Sequence, residues 1–78
     1  MRVIIRFSLN NDVQSALRNL LVNILGSAGF TLSKTGTHEC TCITEAQLNT
    51  VLCDFWAQAV NPPNNAQIDH VWIYADNP

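Results

Sequence analysis

Two histidine–carboxylate neighbours, His38-Glu39 and Asp69-His70, are the places in this chain where acid–base chemistry would first be sought. Each lies in a segment that reads as a strand, where neighbouring side chains point to opposite faces, so neither pair is expected to form a hydrogen-bonded dyad within its own strand. Ser8 ends the first strand next to Asn10-Asn11-Asp12, a loop that could expose a catalytic group. Asp12 also suits the start of a helix, where an acid is favoured by the macrodipole. The sequence shows no set of nucleophile, base and orienting group, and no glycine-rich phosphate loop. If the chain is an enzyme, Ser8, Asp12 and His70 are the candidate catalytic residues; the expectation is that it is not one.

His38, Cys40 and Cys42 alternate and would share a strand face, and Cys53 could add a fourth ligand. Same-face neighbours on a strand stand about 6.5–7 Å apart, too far for all of them to close on one ion, and no C-x-x-C pair is present. Cys40 and Cys42 are therefore expected to pack in the core and His38 to sit in a turn, with no metal and no cofactor. An odd number of cysteines suits reduced thiols in a cytoplasmic setting. Met1-Arg2 leads straight into Val3-Ile4-Ile5 and the apolar run breaks at Arg6, so neither a signal peptide nor a membrane span is expected. The net charge of −2, with only Arg2, Arg6, Arg18 and Lys34 basic, argues against general nucleic-acid binding.

These residues must be carried by a small set of elements. Residues 2–9 alternate, with Val3, Ile5, Phe7 and Leu9 on one face and Arg2, Ile4, Arg6 and Ser8 on the other, which predicts a half-buried strand. Asn11 and Gln14 have capping-box spacing, and Val13, Leu17, Leu20, Leu21 and Ile24 then recur as a helical face ended by Gly26 and Gly29. Phe30–Ser33 and Glu39–Ile43 flank Thr35-Gly36-Thr37 as a β-hairpin. Thr44 and Gln47 repeat the capping signal, and Leu48, Val51, Leu52, Phe55, Ala59 and Val60 form a second helix stopped by Pro62-Pro63. The final strand is Ile68–Tyr74. One domain over residues 1–78 follows, of class α+β: a ferredoxin-like βαββαβ arrangement, strand order 4-1-3-2, with two helices on one face of an antiparallel sheet.

In that order the last strand lies beside the first. Val71 and Ile73 then point to the helices, and Ile4 and Arg6 meet His70, Trp72 and Tyr74 on the open face. Both sides of the final strand carry large or apolar groups, which implies that something covers the open face. A hydrophobic content of 47% in 78 residues again suggests surface reserved for a partner. Rings interleaved with Arg2 and Arg6 suit a single-stranded RNA platform, yet Trp, Tyr and Arg are also the preferred anchors of protein interfaces, and the aliphatic Ile4 and Ile68 favour sheet-to-sheet packing.

The order of segments, from Met1-Arg2-Val3-Ile4-Ile5-Arg6-Phe7 through Ala28-Gly29-Phe30 and a hairpin to Ile68–Tyr74, resembles the small CRISPR-associated adaptation protein, virulence-associated protein D and the ribonuclease antitoxin group. The resemblance covers most of the chain as architecture. It implies a homodimer built around the sheets and a setting in phage defence, anti-defence or toxin–antitoxin control. In the nucleases of that family an aspartate ends the first strand and binds a divalent metal between two subunits. Ser8 stands there in this chain, and a serine supplies no anionic oxygen to a hard cation. The leading expectation is thus a small, non-catalytic, homodimeric interaction protein whose interface is Ile4, Arg6, His70, Trp72 and Tyr74, binding itself and another protein. A metal-dependent endoribonuclease and a single-stranded RNA platform are the alternatives.

Overall fold

The computed structural model describes residues 1–77. Its elements are β1 (Arg2–Asn10), α1 (Ala16–Ser27), β2 (Thr31–Lys34), β3 (Thr37–Cys40), α2 (Glu45–Ala59) and β4 (Gln67–Asp76), with single 3-10 turns at Val13–Ser15 and Pro63–Asn65. The strands form one antiparallel sheet in the order β2-β3-β1-β4. This is the ferredoxin-like α+β arrangement expected from the segment order.

Side-chain alternation on β1 sets the layers. Val3, Ile5 and Phe7 are buried against Leu17, Leu21 and Leu25 of α1 and Val51 and Phe55 of α2, with Phe30, Cys40 and Ile43 closing the core from the hairpin side. Phe7 meets Phe55 edge to face, ring centroids 5.5 Å apart, the geometry aromatic quadrupoles favour. Val13 and Leu20, expected on the buried helical face, are exposed, as is Val60 beyond the end of α2.

The two helices begin differently. Thr44 caps α2 as its spacing predicts: the Gln47 N–H donates to Thr44 Oγ1 at 3.1 Å, and the Thr44 N–H donates to Gln47 Oε1 at 2.9 Å. The matching expectation for α1 does not hold. Gln14 and Ser15 adopt left-handed conformations, at φ 55 and φ 57, so Val13–Ser15 is a separate turn and Asn11 caps nothing. Asp12 does the work from further upstream, its Oδ1 accepting from the Leu17 N–H at 2.7 Å and its Oδ2 from the Arg18 N–H at 3.0 Å.

The end of α1 is a Schellman turn. Gly29 sits at φ 93, its N–H donates to Gly26 O at 3.1 Å, and the Phe30 N–H donates to Leu25 O at 3.0 Å, sending Phe30 into the core. Gly36, at φ 76, turns the hairpin; a Cβ there would lie 3.3 Å from Phe7 O, the carbonyl next to which the Phe7 N–H donates to Gly36 O at 3.1 Å.

Candidate functional site

The open face of the sheet is built by β1 and β4, paired from Arg2↔Asp76 to Asn10↔Gln67. Paired residues share a face, so Arg2, Ile4, Arg6 and Ser8 lie beside Asp76, Tyr74, Trp72 and His70. This gathers the expected set on one surface. Trp72 is 71% exposed and Tyr74 53%, and each lies under an arginine: Arg6 over the Trp72 ring at 6.0 Å and Arg2 over the Tyr74 ring at 5.9 Å. Arg2 is also 3.8 Å from Asp76, to which the Tyr74 hydroxyl donates at 3.1 Å. Arg6 has no carboxylate at ion-pair distance among the described residues.

On the helix side, β4 departs from expectation. Ile73 pairs with Ile5 and shares its face, yet Ile5 is 0% exposed and Ile73 43%. Among the described hydrophobic residues of β4, Ile68 and Val71 are the ones packed against the core. Ile68, expected to contribute to the open face, pairs with Leu9 and packs against the core instead.

The cause is an extra residue. Register runs Ser8↔His70 and then Leu9↔Ile68, leaving Asp69 as the unpaired residue of a β-bulge. A bulge interrupts strict alternation and re-aims side chains, which brings Asp69 to the same side as His70, Ser8 and Asn10. Asp69 Oδ2 lies 2.7 Å from His70 Nδ1 and accepts from Ser8 Oγ at 3.1 Å, while Oδ1 accepts from Asn10 Nδ2 at 3.4 Å. The expectation that Asp69 and His70 could not pair is therefore overturned. An ionised carboxylate only accepts, so Nδ1 is the donor in this contact. The hydrogen bonds from His70 and then Ser8 hold the Asp69 carboxyl below its ordinary pKa.

Sequence reasoning missed Asp69 and Asn10 as members of this group. A signal was present: Ile68 and Val71 both face the core although three positions apart, an odd spacing that a regular strand does not allow. Arg6, Ser8, His70 and Trp72 line a recess of about 300 Å³ on this face.

The other candidates are dispersed. Asp12 is committed to the start of α1. His38 lies in β3 rather than in a turn, 3% exposed and stacked on Phe7 with ring centroids 5.5 Å apart. Burial, and secondarily the Arg18 charge, keep it below its ordinary pKa. Cys40 is buried as expected, whereas Cys42 is exposed, because β3 ends at Cys40, and Cys53 is exposed on α2. No three His, Cys, Asp or Glu side chains converge to hold a metal among the described residues.

No protein-family model, curated protein or solved structure matches the chain. Among the described residues no helix is long and apolar enough to cross a membrane.

Proposed function

We propose that this chain is an interaction module that pairs with a second copy of itself through the open sheet face, with Trp72 and Tyr74 at the centre of the contact and Ile4 and Arg6 beside them. The observation that carries the reading is the exposure of two large rings on a face that no element of the described residues covers. Rings of this kind with an adjacent arginine are the side chains that contribute most when buried between proteins. The signs of charge also suit a like partner. Arg6 lacks a counter-ion among the described residues, while Asp69 and Asp76 on the same face offer one to a two-fold related copy. The role is non-catalytic, in a reducing compartment consistent with three unpaired cysteines, and the setting implied by the architectural resemblance is phage defence or toxin control.

Light scattering at low and moderate salt tests it. A dimer at both salts that becomes monomeric in Trp72→Arg, with an unchanged helical circular-dichroism signal, is the expected result. A wild-type monomer at both salts overturns self-association.

One observation favours a second reading. His70 Nε2 is free while Asp69 orients the ring, and Arg6 and Trp72 border the same recess, an arrangement able to take a proton from an RNA 2′-hydroxyl beside a bound phosphate. The 2′-oxygen would displace the 5′-oxygen at phosphorus, leaving a 2′,3′-cyclic phosphate and a 5′-hydroxyl protonated by water. Cleavage of single-stranded RNA in the presence of a chelator, abolished in His70→Ala, would establish this route. Absence of cleavage removes it.

A further inference from the structure

β1 is longer than its partner on the hairpin side. Pairing with β3 stops at Arg6↔Thr37, and the Phe7 N–H donates to Gly36 O as the last contact; pairing with β4 continues to Asn10. A notch is left between the hairpin tip and the start of α1. The peptide group of Leu9, in step with that of Phe7, faces into it, because alternate residues of a strand direct their backbone groups to the same side.

The notch is a recess of about 390 Å³ lined by Arg6, Ser8, Ser15, Arg18, Thr35 and Gly36, together with Leu9 and Asp12. Arg6 and Arg18 are half of the chain's basic side chains. Neither has a carboxylate at ion-pair distance among the described residues. Asp12 lines the same recess, but both its oxygens accept backbone N–H groups of α1. Arg18 is half-buried, where an uncompensated charge interacts more strongly than in open water. His38, held neutral by burial and by Arg18, brings no carboxylate or other counter-charge to it. The two guanidiniums outnumber the one Asp12 carboxylate, so the recess is net positive on a chain whose net charge is negative.

We propose that this notch binds a phosphate group, held between the Arg6 and Arg18 guanidiniums, with the Leu9 N–H and the hydroxyls of Ser15 and Thr35 as further donors. Donors arriving from several directions suit a tetrahedral dianion better than a planar carboxylate, and guanidinium forks match phosphate oxygens. The recess shares Arg6 and Ser8 with the one bordered by Trp72, so a phosphate carried on a nucleotide would place its ring toward the indole. The site shares Arg6 with the self-association face proposed above and differs from it in Arg18, which lies on α1 at the helix side of the sheet.

The test is an amide-detected NMR titration of the full chain with inorganic phosphate, 5′-AMP and sodium acetate at matched ionic strength. The expected result is saturable movement of the Leu9 and Gly36 amides with phosphate and with AMP, little with acetate, and at least about tenfold weaker binding in Arg18→Gln, as the loss of a hydrogen bond to a charged group implies. Arg and Gln have similar helix propensity, so the variant retains α1; Thr35→Val serves as the second variant. Equal affinity for phosphate and AMP identifies the free anion as sufficient, and tighter AMP binding identifies a nucleotide. Non-saturating shifts common to all three salts, or unchanged phosphate affinity in both variants, overturn the site. Light scattering of Arg18→Gln reads the oligomeric state separately, and no change is expected there.

Discussion

β1 and β4 are partners over nearly their whole length, yet they occupy different environments. β1 has a strand on each side over Val3–Arg6 and a helical layer over one face; β4 has a neighbour on one side only and little cover on either face. Apart from Ile4, the apolar residues of β1 are packed in or against the core. Those of β4 beyond Val71 are not, which is the pattern the self-association proposed above requires.

Ile5 and Ile73 form the sharpest test of that difference, since they face each other across the ladder. Ile5→Ala removes a fully buried side chain and should cost about 2–5 kcal/mol in denaturant unfolding. Next in size is the acid response of the centre. The folded state holds His38 neutral while the unfolded chain protonates it near its ordinary value of 6.5, so stability is complete above that pH and declines as pH falls below it. His38→Phe should flatten thermal unfolding temperatures between neutral and mildly acid pH. Ile73→Ala, measured on dilute monomer, should stay within about 0.5 kcal/mol of wild type; a loss like that of Ile5 would break the comparison. The smallest effect belongs to Asp69. Its pKa is lowered by the His70 and Ser8 hydrogen bonds, so its contribution is present above the ordinary carboxylate value and fades as pH falls through the lowered one. Asp69→Asn should remove a slight stability step below about pH 4 and leave the His38 step intact.

The same contrast explains what could be read from residues alone. Strand order and the buried face of β1 follow from alternation and from the need to cover one side of a sheet. The start of α2 follows from Thr44 and Gln47, a local signal complete within four residues. The start of α1 does not, because Asn11 and Gln14 offer the same spacing while Asp12, reaching forward to Leu17 and Arg18, is able to hold the helix only once Gln14 and Ser15 have turned left-handed. The open-face set was legible as a set. Its polar corner was not, since one inserted residue at Asp69 changes which side chains meet, and alternation alone assigns them to opposite faces. The notch at Leu9 depends on unequal strand lengths, which the turn at Gly36 decides from the other side of the molecule.

The outer rim of β4 has a cost in the cell. Val71-Trp72-Ile73-Tyr74-Ala75 is a run without charge, proline or glycine at the border of the sheet, and natural edge strands ordinarily carry such residues to prevent open-ended stacking of strand upon strand. With this border uncovered, the chain should therefore form fibrillar deposits as its concentration rises, with Trp72 and its neighbours at their spine. A partner seated along this border would also act as the molecule's protection against aggregation.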